Sequence, residues 1–353
     1  MTQRMTITIA AIDAGNSETT FAAPRGRVLT IPSFVGSGSL DELQRIRGGI
    51  GATSLRDDEF VLEYQNRSYF VGRLAVEESL DATSARGNIN RYWDGHTLKL
   101  LLVLAGAAFR SPHLAMRLVT GLPVQVWSAE AKEKVRQRLM GTHSYKLNGE
   151  ERRLTIDNVV VVMEGAGALA LYGTDEQVFQ GVIDVGGRTT DLFMAEGQRP
   201  IKPRCVGTDR GVEKVGDLLR ELVEQKYGRT LVPSEVRDIL RAQVERRPHR
   251  PIPVDGVRIT LDGEVADIVG SVADEISAFV SEAWRSGEHG KVAAMADQVV
   301  LIGGGAYYFA PHLRRLITHL KVPQQPEIAN AKGYLAIGLQ IPDEVWARTA
   351  GTR

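Results

Sequence analysis

At 353 residues, 43% of them hydrophobic and 24% charged, the chain has the make-up of a soluble globular protein of about two domains. Forty-three basic residues balance forty-three acidic ones, which argues against a general nucleic-acid or membrane-surface binder and leaves only local patches. The single cysteine, Cys205, excludes an internal disulfide, sits in no zinc-type spacing, and makes a reducing cytoplasm the expected compartment.

In chain order, Met1 to Ala11 has no long apolar run of the kind a signal peptide needs. Residues 5–12 read as a strand running into Asp13-Ala14-Gly15-Asn16-Ser17, and residues 18–31 as the strand that returns. Gly36 to Thr53 reads as a loop with a short helix, and Phe60–Leu62 and Ser68–Val71 as short strands about a turn at Asn66. Asp94 to Arg110 is helical by length and apolar content. Its run from Leu100 to Phe109 is too short for a bilayer span, which takes about 20 residues, and reads as a buried helix. Leu118–Leu122 is a buried strand, and Ser128 caps a helix that stops by Gly141. Asn158–Met163 reads as a strand buried on both faces. Gly165-Ala166-Gly167-Ala168 after it predicts close helix packing.

The next strand carries a second hairpin, Val182-Ile183-Asp184-Val185-Gly186-Gly187-Arg188-Thr189-Thr190-Asp191. Beyond it, Val212, Val215, Leu219, Leu222 and Val223 share a helical face, and Ser234 is placed to cap a further helix. Arg246–Val254, with Pro248, Pro251 and Pro253, reads as a loop. Val265 to Val280 makes a long amphipathic helix, and Gln298–Ile302 a buried strand ending in Gly303-Gly304-Gly305. A last helix carries Gly333, Ala336 and Gly338. The tail after Gln340 shows no amphipathic membrane anchor. Strands and helices alternate throughout, which argues α/β.

The chemistry concentrates in the two hairpins. In each, an apolar strand ends on Asp and turns through Gly. Glycine lets backbone N–H groups approach a phosphate closely, and the Asp can hold Mg²⁺ through water. The repeat suggests two similar domains gripping one triphosphate. Thr189 and Thr190 could donate to phosphate oxygens, with strand propensity the competing explanation for one of them. Arg188 is expected to be solvated. Glu164, at a strand end, could orient or deprotonate a water, or could be a helix N-terminal acid favoured by the dipole. Its local context leaves these even. There is no P-loop motif and no nucleophilic triad arrangement.

Taken in order, five elements resemble the actin, heat-shock chaperone and sugar-kinase superfamily. They are the first phosphate hairpin (Asp13 to Ser17), a connecting helix (Glu164 to Ala170), the second phosphate hairpin (Asp184 to Asp191), an adenosine motif (Val299 to Ala306) and a second connecting helix (Ala331 to Leu339). Chain length, Tyr69-Phe70-Val71-Gly72-Arg73-Leu74-Ala75 and Val119-Thr120-Gly121-Leu122-Pro123-Val124 look most like prokaryotic actins of the ParM type and their archaeal relatives.

The resemblance implies two similar actin-like, ribonuclease-H-like α/β domains with a nucleotide cleft. Residues 1–182 would form the first, with a small subdomain inserted at about 34–84. Residues 183–330 would form the second, with a helical insert at about 208–254, and 331–353 a C-terminal helix packing back on the first. It implies an ATPase using ATP/ADP and Mg²⁺. Asp13 and Asp184 would serve the metal through water, and Glu164 the attacking water. Gly15, Asn16, Ser17, Gly186, Gly187, Thr189 and Thr190 would line the phosphates, and Gly303, Gly304 and Gly305 the adenosine. It further implies a cytoplasmic filament of self-associating subunits, for plasmid or DNA segregation through an adaptor protein or for another cytoskeletal role, without touching DNA or membrane itself. Two positions depart from the pattern: Glu18-Thr19-Thr20 contains no Lys where many relatives place one, and Arg188 stands where many have Gly. The alternatives are a small-molecule kinase of the same fold and a nucleotide-binding scaffold without turnover.

Overall fold

Strand β1 (Ile7–Ala14) is apolar at consecutive positions because both of its faces are covered. Ala10 and Ile12 join one core cluster, and Ala11 joins another. The computed structural model describes residues 7–48, 55–84, 89–174, 176–287 and 289–350. The chain divides into two units, Met1–Leu171 with Asn330–Arg353, and Tyr172–Ala329.

In the first unit β1 is followed by β2 (Glu18–Ala23) and β3 (Arg27–Pro32), both antiparallel. The single returning strand expected over 18–31 is thus two, because Arg25 and Gly26 take positive φ (66° and 74°) and reverse the chain. Next come β4 (Phe34–Ser37), α1 (Leu40–Arg47), β5 (Phe60–Tyr64), β6 (Arg67–Val71), α2 (Arg73–Glu78) and β7 (Thr83–Ser84). Part of the expected loop, residues 49–53, lies outside the described residues. Then follow α3 (His96–Ala108), β8 (His113–Leu122), α4 (Ala129–Leu139), β9 (Gly141–Leu147), β10 (Glu150–Met163) and α5 (Ala166–Tyr172). Ser128 caps α4 by accepting from the Ala131 amide at 3.0 Å.

These strands form one sheet in the order β3-β2-β1-β8-β10-β9-β5-β6-β4-β7. β1, β8 and β10 are parallel neighbours, so Asp13, Leu122 and Met163 lie at the same edge. β10 is longer than expected, and Val160 to Met163 are only half-buried. Its pairing with β9 stops at Ile156, which leaves its last residues bonded to β8 alone.

The second unit contains β11 (Phe179–Val185), β12 (Thr190–Glu196), β13 (Arg199–Pro200), β14 (Val206–Thr208), α6 (Val212–Tyr227) and α7 (Pro233–Glu245). It continues with β15 (Ile252–Val254), β16 (Val257–Ile259), α8 (Asp262–Trp284), β17 (Gln298–Ile302), α9 (Ala306–Leu316) and β18 (Leu320–Lys321). Its main sheet runs β13-β12-β11-β17-β18, with β14 on β12. Ile183, Val185, Leu192 and Met194 face α6 and α8 in the core, and Cys205 is buried.

Three readings are corrected here. Ser234 lies inside α7 rather than capping it. Pro233 fits the first helical position, and the Glu235 carboxylate accepts from the Val232 amide at 3.0 Å. The proline-rich segment ends in a strand, because Asp255 and Gly256, both at positive φ, turn β15 back into β16. A boundary after residue 182 would cut β11. Gln180 instead ties Thr174 into the second unit through paired 2.8 Å bonds, and Gln298 Nε2 donates to the Tyr172 carbonyl.

α10 (Ala329–Gln340) covers the expected last helix, and α11 (Asp343–Ala350) follows it unforeseen. Ala331, Tyr334 and Trp346 pack with Ala11, Ala22 and Val119 on the first unit's sheet. α10 and α5 touch backbone to backbone, since a Cβ on Gly333 would overlap Gly167. That contact is why the small-residue run is there. Among the described residues no helix is long and apolar enough to cross a membrane.

Candidate functional site

The first unit holds Asp13, its hairpin and Glu164. Asp13 pairs with Thr20 and Ala14 with Thr19 across Gly15-Asn16-Ser17. A Cβ on Gly15 would lie 2.6 Å from the Glu18 carbonyl, so this turn admits only glycine. Asp13, Asn16 and Ser17 are half-buried.

The turn is braced by Ser33, which is fully buried. Its hydroxyl donates to the Gly15 carbonyl and its amide to the Ser17 carbonyl, both at 2.9 Å. With its proton so used, the Ser33 hydroxyl accepts from Thr19 at 2.8 Å. His96 donates from Nε2 to the Ser33 carbonyl at 3.1 Å. Burial pushes the His96 pKa below its ordinary value, which favours the neutral ring.

Glu164 is placed by its amide, which donates to the Leu122 carbonyl at 2.9 Å at the end of the β8–β10 pair. Gly165, at φ 90°, then turns the chain into α5. Tyr92 donates its hydroxyl to Glu164 Oε1 at 3.2 Å, and Arg91 Nη2 donates to that hydroxyl at 2.5 Å. Arg91 Nε also donates to the Ala14 carbonyl at 3.3 Å. Asp13's hairpin and Glu164 are therefore linked through Arg91 and Tyr92. Sequence reasoning missed Ser33, Arg91, Tyr92 and His96, and no local motif marks them.

The second unit builds a similar hairpin. Val185 pairs with Thr190 and Asp184 with Asp191, and the Gly186 amide closes the turn onto the Thr189 carbonyl at 2.9 Å. The first amides of α6 support it, Val212 donating to the Gly186 carbonyl at 3.2 Å and Glu213 to the Gly187 carbonyl at 2.7 Å. A Cβ on Gly186 would meet nothing closer than 3.5 Å, so the fold does not demand glycine there.

Thr190 is corrected. It is fully buried and its hydroxyl donates to the Arg210 carbonyl at 2.6 Å, which makes it a brace for the turn. Thr189 stays half-buried at the turn. Arg188, expected in solvent, lies 3.6 Å from the Asp209 carboxylate.

The glycine triplet divides in two. β17 runs parallel to β11 with Ile302 beside Asp184, so both strands end at one edge. A Cβ on Gly303 would lie 2.5 Å from Asp184 Oδ1, and one on Gly305 would overlap Val185. Gly305 also donates its amide to the Val185 carbonyl at 2.8 Å. Gly304 alone faces open space. Two of the three glycines thus seat the triplet on the second hairpin.

Mg²⁺ fits this donor set only with water completing its shell. Asp184 and Asp191 stand directly opposite each other across the hairpin, two carboxylates on neighbouring strands. Among the described residues no group of three or more His, Cys, Asp or Glu forms a direct metal cage. Mg²⁺ typically keeps several waters and binds through one or two carboxylates.

Two α/β units, each with an Asp-containing hairpin at the C-terminal edge of its parallel strands, define an actin-like fold. The chain belongs to the actin-like protein family: residues 11–167 match the N-terminal domain of actin-like proteins, and residues 182–315 match the C-terminal domain of archaeal MreB-like actin homologues. Among solved structures it is similar to the archaeal actin homologue Ta0583 (TM-score 0.77, 16% identity, 95% of this chain and 100% of that one). It is also similar to the subunit of a 15-stranded ParM filament from Clostridium botulinum (TM-score 0.75, 20% identity, 96% and 100%). A third is Bacillus thuringiensis ParM with ADP (TM-score 0.68, 15% identity, 94% and 98%). No curated protein matches the sequence.

Proposed function

We propose that the protein is an actin-like ATPase that binds ATP with Mg²⁺, hydrolyses it and polymerises. The observation that carries this reading is the edge of the first unit's sheet, where Asp13, its glycine turn and Glu164 are held together by hydrogen bonds. Hairpin amides and Asn16, Ser17 and Thr189 are the groups offered to phosphate. In each unit the hairpin aspartate, Asp13 in the first and Asp184 in the second, is the residue that would meet Mg²⁺ through water, and the metal, when bound, neutralises phosphate charge. Glu164, a carboxylate anchored at a strand end, accepts a hydrogen bond from the attacking water and orients it. The backbone at Gly304 offers an open surface for the adenosine.

The two ParM structures named above support the finer part, one being a filament and the other holding ADP. ATP would favour a polymerising form of the subunit, and hydrolysis would weaken the contacts between subunits. DNA cargo, in this reading, is joined through an adaptor protein. The test is light scattering and phosphate release on one sample after adding Mg²⁺ and ATP, with Glu164→Ala beside it. Scattering should rise and phosphate follow, while the variant polymerises but releases phosphate far more slowly. Absence of scattering at every protein concentration removes the filament.

A further inference from the structure

We propose that Arg91 and Tyr92 are a positioning pair that fixes the Glu164 carboxylate relative to the first phosphate hairpin. The inference rests on Glu164 handling the attacking water. The direction of the chain of bonds follows from donor chemistry. A guanidinium has no acceptor, so at the 2.5 Å contact Arg91 donates and the Tyr92 hydroxyl accepts. The single proton on that hydroxyl is then directed to Glu164 Oε1 at 3.2 Å. The other end of the guanidinium is fixed by its bond to the Ala14 carbonyl, one residue after Asp13.

The pair is rigid for physical reasons. Arg91 is 6% exposed and Tyr92 1%, so neither side chain has room to move away. The guanidinium carbon also lies 4.2 Å from the centroid of the Tyr92 ring, a cation–π contact strengthened by burial. An arginine fork makes its bonds at set angles, so the distance from hairpin to carboxylate is set by covalent geometry. A hydrogen bond accepted on one carboxylate oxygen favours one orientation of the group. The arrangement also puts a buried positive charge against a hairpin whose later residues, Glu18-Thr19-Thr20, include no lysine.

The experiment measures phosphate release, ATP affinity and melting temperature on the full chain for wild type, Tyr92→Phe, Glu164→Gln, the double variant and Arg91→Lys. A carboxylate left loose loses orientation, so Tyr92→Phe should lower turnover about tenfold with ATP affinity nearly unchanged. In the Glu164→Gln background the same change should cost less than about twofold, because the residue it acts through is already altered. Arg91→Lys keeps the charge but not the two-ended grip, and should fall between wild type and Tyr92→Phe. If Tyr92→Phe melts early, Arg91→Lys decides: a loss of turnover at unchanged affinity upholds the pair, and wild-type turnover overturns it. Tyr92→Phe turnover within about twofold of wild type, or a loss that multiplies fully with that of Glu164→Gln, also overturns it. Wild type that binds ATP without releasing phosphate defeats the functional reading and this inference together. Normal turnover that Tyr92→Phe leaves intact defeats the inference alone.

Discussion

Gly303 and Gly304 adjoin in the chain and carry opposite constraints. Gly303 has φ 81° and no room beside Asp184 Oδ1, whereas Gly304 has open space. Gly303→Ala should therefore destabilise the protein by about 1–3 kcal/mol, through strain and displacement of the carboxylate. Gly304→Ala should leave stability unchanged or raise it by up to about 1 kcal/mol, by restricting the unfolded chain. Its effect should appear in ATP affinity instead, because the added methyl occupies the surface offered to the nucleotide. Thermal melts and a nucleotide titration on both variants check this. Unaltered affinity in Gly304→Ala would take that residue out of the site. At this scale the sequence exposes residues marked by their neighbours: Asp13, Asp184 and Glu164 each stand within one residue of the end of an apolar strand. Ser33 and Arg91 act through partners 18 and 77 positions away. Nothing in their immediate surroundings carries that signal. From sequence Thr190 reads as a phosphate contact, since the carbonyl it bonds, Arg210, comes near only when β14 pairs with β12.

Elements were legible where burial imposes a period. β1 and β17 are continuous apolar runs, and α6 and α8 show one-sided stripes. α11 was missed because eight polar-rich residues after a proline give too little periodicity, although Trp346 is buried beneath it. The contact of α10 with α5 yields a sharp prediction. Gly333→Ala must push the two helices apart, since its Cβ would overlap the Gly167 backbone. The helix-propensity gain of about 1 kcal/mol should be exceeded by that overlap, giving net destabilisation in a denaturant melt. A melt unchanged or raised would show that the helices separate freely. Charge gives the second prediction at this scale. Glu59 is fully buried and takes two bonds from Arg47, at 2.8 and 2.9 Å, which lock α1 to the start of β5. The Arg47 hydrogen bond is the main reason its pKa is lowered from 4.5 to about 2. Above 4.5 the carboxylate is ionised whether folded or unfolded, and its stabilisation is complete. As pH falls from 4.5 towards 2 the unfolded chain takes up a proton that the folded chain resists, and the contribution fades. Acid titrations of wild type and Glu59→Gln should show a steeper loss of stability in wild type than in the variant, because other depressed carboxylates such as Asp81 remain in both. Equal slopes would mean that Glu59 does not titrate this way.

At the scale of the whole molecule, the duplicated Asp-Gly hairpin was the feature that sequence alone could read, and each unit places one at the C-terminal edge of its parallel strands. The division at Leu171 and Tyr172 was not readable, since it depends on Gln180 and Gln298 bonding to a segment that carries no composition change. Thermodynamic linkage tests each hairpin for a part in nucleotide binding. A ligand that binds only the folded chain adds about 2.7 kcal/mol of stability at one hundred times its dissociation constant. Mg²⁺ with ATP should therefore raise the unfolding temperature of wild type measurably. Asp13→Asn and Asp184→Asn, isosteric changes on different units, should each remove most of that rise while leaving the ligand-free melt close to wild type. Glu164→Gln should keep the rise, because its role falls on the attacking water and not on holding the nucleotide. A full shift retained by either aspartate variant would exclude that hairpin from binding. A shift lost in Glu164→Gln would recast Glu164 as a nucleotide-binding residue.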